Sequence, residues 1–66
     1  MKIVVNGKEL EYKDNITVED ILNNLNIKEK VMAVAVNMEI VKKDNWKIFK
    51  VKNGDKIELL HFVGGG

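Results

Sequence analysis

Hydrophobic and polar positions alternate, cluster and pause along the chain in a way that marks out its elements. Lys2–Asn6 is rich in β-branched residues, and Asn6-Gly7, a strong hairpin signal, follows it. Glu9-Leu10-Glu11-Tyr12 then alternates polar and apolar, as a half-buried strand does. Residues 2–12 therefore read as a β-hairpin. In "NITVEDILNNLNI" the period changes: Val18, Ile21, Leu22 and Leu25 stand at i, i+3, i+4 and i+7, one face of a helix. Thr17 and Asp20 are spaced as a capping box, and Glu19 and Asp20 suit the positive end of the helix dipole. The poor helix formers Asn23, Asn24 and Asn26 predict a stop near residue 26.

Beyond the helix, Val31–Asn37 is a nearly unbroken apolar run and predicts a central strand buried on both faces or nearly so. Ala33 and Ala35 share one face, where the helix has room to pack closely. Met38-Glu39 reads as a turn into a short strand, Ile40-Val41. Residues 42–52 read as a loop whose Trp46, Ile48, Phe49 and Val51 plug one end of the core. Asn53-Gly54 is a further turn, and Lys56–Phe62 a last strand. One hairpin, one helix and two or three more strands must share one core, which points to an α+β fold, a mixed sheet of four to five strands on one helix. Pairing of the last strand with the first makes that a β-grasp.

The chain has 66 residues, enough for one domain, read as residues 1–62 followed by a flexible glycine tail, 63–66. So small a body leaves no room for a deep catalytic cleft. There is no cysteine, which excludes thiol chemistry and disulfides and favours a reducing, cytoplasmic setting. No apolar run nears the roughly 20 residues of a membrane span. The net charge is +1 and every basic residue is Lys, so a nucleic-acid partner is not expected. Lys42, Lys43, Lys47, Lys50 and Lys52 form a local basic region, read either as a solvated face or as a docking surface for an acidic partner. His61 stands alone without a second ligand, so no metal site is expected. Trp46 reads as a core closure, Asp55 as a turn residue, and Met32 and Met38 as packing residues. If Ile57 and Leu59 face inward, Leu60 and Phe62 face outward beside the tail. Leu60, Phe62 and Val63 are therefore the candidate partner contacts.

Four segments, taken in order, resemble the ThiS family of ubiquitin-like sulfur carriers. They are the "VNGKELEY" hairpin, the "TVEDILNNL" helix, "AVAVNMEIV" followed by Trp46, and "NGDKIELLHFVGGG" at the end. Met38 departs from the pattern, since the family often has Gly in that turn. The resemblance implies a carrier, not an enzyme, with Gly66 as the modified residue and Gly64 and Gly65 as its flexible leader. It implies adenylation of the terminal carboxylate by a ThiF-like, E1-like enzyme that uses ATP. Sulfur from a cysteine desulfurase relay then forms a thiocarboxylate, which supplies a ThiG-like thiazole synthase in thiamine biosynthesis. Alternatives are a MoaD-like carrier for molybdopterin or another sulfur-containing product, and a ubiquitin-like binding module that is never activated. A terminal carboxylate is ionised near neutral pH and is a poor electrophile, so it requires activation from outside. No glycine-rich loop here joins a strand to a helix, so the chain has no phosphate cradle of its own. From Val63 to Gly66 the chain reaches up to about 13 Å at 3.3–3.6 Å per residue. Glycines let a backbone enter a channel too narrow for side chains.

Overall fold

A computed structural model of the chain describes residues 1–61. β1 (Lys2–Val5) and β2 (Lys8–Glu11) form the expected hairpin, with Val5 opposite Lys8 and the two-residue loop Asn6-Gly7 between them. Both loop residues have positive φ (49° and 81°), the mirror-image turn that matches strand twist. α1 (Val18–Asn24) follows. Then come β3 (Val31–Val36), β4 (Glu39–Val41) and β5 (Lys56–His61), with single 3₁₀ turns at Lys28–Lys30 and Lys43–Asn45. The strands form one sheet in the order β2-β1-β5-β3-β4. β1 and β5 run parallel, through Val4↔Lys56 and Val5↔Ile57, and the other pairs are antiparallel. A mixed five-stranded sheet with one helix is the β-grasp arrangement, and it puts the last strand in the middle.

Sequence chemistry sets both ends of α1. Thr17 Oγ1 accepts from the Asp20 amide (3.1 Å), and Asp20 Oδ2 accepts from the Thr17 amide (2.9 Å), so the capping box closes with Asp in place of Glu. At the other end Asn26 takes φ 58°; its amide donates to Asn23 O and the Ile27 amide to Leu22 O. That pair of bonds around a left-handed residue is a Schellman stop, with Asn in the usual glycine position. The asparagines thus act by one residue's backbone geometry more than by low propensity.

One core lies between α1 and the sheet. Val18, Ile21 and Leu22 pack with Ile3, Val34, Val36, Ile57 and Leu59. Trp46 closes one end, 1% exposed, its Nε1 donating to Val41 O at 2.9 Å. The 42–52 segment also caps the helix, because the Val18 and Glu19 amides donate to Phe49 O and Trp46 O. Such first-turn amides have no partner inside their own helix.

Several expectations need correction. β3 is not buried on both faces: its inward residues are Val31, Val34 and Val36, while Met32 is exposed and Ala33 and Ala35 are half-buried. The alanines lie on the face away from the helix, since the larger valines fill the core better. Ile48 is exposed and does not plug the core, because the tight turn after the 3₁₀ segment carries it outward. Met32 and Met38 are exposed and are not packing residues. The second hairpin turns at Asn37-Met38, one residue earlier than expected, with Val36 opposite Glu39. The expected exposure of Phe62, the contact role of Val63, and the tail Gly64, Gly65 and Gly66 lie outside the described residues.

Met38 sits at φ 72° and is 86% exposed, so it bears a left-handed backbone and buries almost nothing. That conformation costs an L-residue about 1–2 kcal/mol. Met38→Gly should therefore stabilise the fold by about 1 kcal/mol, seen as a Tm rise of about 4–8 °C in a domain of this size. An unchanged or lower Tm counts against strain at this turn.

Candidate docking face and tail exit

The alternation of β5 places Ile57 and Leu59 in the core and Glu58 and Leu60 on the open face, as its sequence predicts. Register extends that face across the sheet. Leu60 lies opposite Ala33, Glu58 opposite Ala35, and Ala35 opposite Ile40. Leu60 is 57% exposed and Ile40 70%. The two small alanines between these larger side chains floor a shallow hollow of ≈ 380 Å³, which Asn6 and Glu58 also border. An exposed apolar hollow of this kind is a candidate surface for a partner.

β5 leads from this face towards Phe62 and the glycines. Its pairing with β1 covers only Lys56 and Ile57; further along, Asn6 bonds to the Leu59 backbone through its side chain. His61 is exposed at the end of the strand and borders a groove of ≈ 310 Å³ on the helix side, with Leu10, Leu25 and Ile27. Of the expected contact residues, then, Leu60 lies on the open face.

The sequence marks Ala33 and Ala35 only as a helix-packing face, Ile40 only as part of a short strand and Asn6 only as a turn, none of them as part of this face. The signal for the first three was present. A two-residue hairpin at Asn37-Met38 puts Ile40 beside Ala35, and the alternation of β5 puts Leu60 beside Ala33. Reading β3 as doubly buried hid it.

Several other polar groups hold the fold together. Asp55 holds a turn: its Oδ2 accepts from the Lys52 amide (2.7 Å) and its Oδ1 from Asn37 Nδ2 (2.9 Å). Burial pushes the Tyr12 hydroxyl above its ordinary pKa, so it stays protonated and donates to Asn24 Oδ1 at 3.0 Å, tying hairpin to helix. Lys42, Lys43, Lys47, Lys50 and Lys52 are all exposed, and Lys43 Nζ stands 5.9 Å from the Trp46 ring centroid. Among the described residues no three His, Asp or Glu side chains gather as a metal site, and no helix is long and apolar enough to cross a membrane.

A model of the ThiS family matches residues 2–66. The chain is 36% identical over 63 residues to the sulfur carrier protein ThiS of Bacillus subtilis, covering 94% of this chain and 96% of that one. It is 41% identical over 66 residues to a thiazole synthase of Paramagnetospirillum magneticum; the match takes in all of this chain but only 20% of that protein's length. Among solved structures, the crystal structure of a thiamine biosynthesis protein (ThiS) from Geobacter metallireducens superposes with a TM-score of 0.83 at 33% identity, each chain covered in full.

Proposed function

This chain belongs to the ThiS family, and from that premise we propose that it is a sulfur carrier of thiamine biosynthesis that works through the carboxylate of Gly66. The observation that carries the reading is the family match itself, which runs through the glycine end to residue 66. The described fold supports it by joining an apolar docking face directly to the strand that precedes those glycines.

The proposed cycle has three steps. An E1-like adenylating enzyme binds ATP and the tail; a Gly66 carboxylate oxygen attacks the α-phosphorus, and pyrophosphate leaves. The acyl adenylate is then open to attack: the terminal sulfur of a persulfide from a cysteine desulfurase relay displaces AMP to form an acyl disulfide. A thiol on the relay or in solution cleaves its S–S bond, leaving the thiocarboxylate and ending as a disulfide. Thiazole synthase takes that sulfur. The carrier supplies no acid, base or metal to any step, and we place the cycle in the cytoplasm. Threading the glycines into a partner costs about 1–2 kcal/mol of ordering entropy per residue. Burial of Leu60 and Ile40 against the partner offsets that cost.

The docking role predicts a specific loss. Leu60→Glu leaves the fold intact, because Leu60 is exposed, but puts a second carboxylate on the face that holds Glu58. Loss of part of a buried leucine's 1.5–3 kcal/mol predicts a KM for the activating enzyme raised about tenfold or more. A wild-type KM in this variant removes Leu60 from the interface. The whole reading is tested by complementation: the gene should restore growth without thiamine to a strain lacking its own thiazole sulfur carrier. Failure there, with rescue of a molybdopterin-carrier deletion instead, would assign the chain to the other pathway.

A further inference from the structure

We propose that Asn6 is a positioning residue for the tail, clamping β5 where it has outrun β1 and so fixing the line along which the chain reaches an activating enzyme. The reaction involved rests on the carrier reading above; the clamp itself does not.

β5 has six residues, but β1 pairs with only the first two. Beyond Ile57, β3 continues as its partner on one side, and that ladder shifts register between Val31 and Ala33, opposite the end of β5. On the other side Asn6 takes over. Its amide donates to Ile57 O (2.9 Å), its Oδ1 accepts from the Leu59 amide (2.7 Å), and its Nδ2 donates to Leu59 O (3.4 Å). One carboxamide thus imitates the strand residue that β1 lacks. Only a side chain with both a donor and an acceptor does this, and asparagine also tolerates the φ of 49° that the hairpin turn imposes.

Asn37 is the counterpart at the other end of β5. It follows β3, takes φ 51°, opens the second hairpin, and its Oδ1 accepts from the Lys56 amide at 3.0 Å. Each end of the central strand is therefore pinned by an asparagine that also makes a turn. Only Asn6 lies at the tail end. It borders both the open-face hollow and the helix-side groove, and it holds the residue before Leu60. It thereby fixes the docking face and the tail exit relative to each other.

The clamp and its consequence are read separately on the purified full chain. Asn6→Asp keeps the size, the turn and one acceptor, but sets a carboxylate oxygen against Leu59 O where a donor stood. Hydrogen exchange at the Leu59 amide should speed up about tenfold or more while core amides stay protected. With an E1-like enzyme and ATP, kcat for activation should fall about tenfold with KM within about twofold, because the tail docks but is misaligned. Asn37→Ala, which loosens the far end, should lower stability and keep the wild-type kcat. The proposal is overturned by unchanged Leu59 exchange in Asn6→Asp, by a wild-type kcat despite faster exchange, or by an equal loss of kcat in both variants. A wild-type chain that no E1-like enzyme activates defeats the carrier reading instead, and the exchange measurement still decides the clamp.

Discussion

Removal of Gly66 should leave a folded protein that accepts no sulfur. Among the described residues the buried core runs from Ile3 to Leu59, and none of those residues adjoins the deletion. Stability should then stay within about 0.5 kcal/mol of the full chain, as for changes away from packed features. The chemistry has no such tolerance. Deleting one residue draws the carboxylate back by about 3.3–3.6 Å, while reacting atoms must approach to about 3–3.5 Å. Docking through Leu60 and Ile40 is retained, so the truncated chain should still bind the activating enzyme and inhibit the full chain competitively. The check is a sulfur-transfer assay beside a denaturation curve. Undiminished sulfur transfer by the truncated chain ends the proposal that Gly66 is the reactive residue.

The largest effect on stability is expected at Trp46. It is 1% exposed, its Nε1 satisfies Val41 O, and its own carbonyl accepts from Glu19 at the start of α1. Trp46→Ala opens a cavity at the end of the core and strands the Val41 carbonyl. Such truncations cost about 3–5 kcal/mol. A domain of 66 residues holds roughly 3–10 kcal/mol in all, at about 0.05–0.15 kcal/mol per residue. The variant should be largely unfolded or close to it, as circular dichroism against urea would show. Trp46→Phe refills much of the volume but leaves Val41 O without its donor, at about 1–3 kcal/mol. A Trp46→Ala loss below about 1 kcal/mol would mean that the 42–52 segment is not part of the cooperative core. Sulfur transfer by Trp46→Phe should follow the folded fraction, since Trp46 borders neither the hollow nor the tail exit.

Much of this architecture was legible because local signals agreed with the global one. The stripe Val18, Ile21, Leu22, the Thr17–Asp20 pairing and Asn6-Gly7 each fixed an element within a few residues, and the alternation of β5 separated Leu59 from Leu60. The signal failed where both faces of a strand are apolar. In Val31–Val36 no polar residue marks the open side, so the sequence did not show which set faces the helix. Volume decided it: valines fill the core, and alanines floor the hollow outside. The register shift between Val31 and Ala33 also breaks the period that would have betrayed the faces. Ile48 was misplaced for a different reason, because a turn obeys no periodicity. Asn6 announced itself as a turn residue, but its bonds reach Leu59, a contact between distant segments that no local pattern carries.

The carrier reading joins a rigid body to a reactive end, and the two make separable claims. Variants at Leu60 test docking, those at Asn6 test alignment, and the glycine end tests chemistry. The central claim is the last, and intact-mass analysis reaches it most directly. After incubation of the full chain with an E1-like adenylating enzyme, ATP, a cysteine desulfurase relay and a thiol reductant, the mass should rise by the exchange of one oxygen for sulfur. Fragmentation should place that change on Gly66. An unchanged mass, with an enzyme shown competent on its own carrier, or a sulfur atom found anywhere else in the chain, would contradict the account.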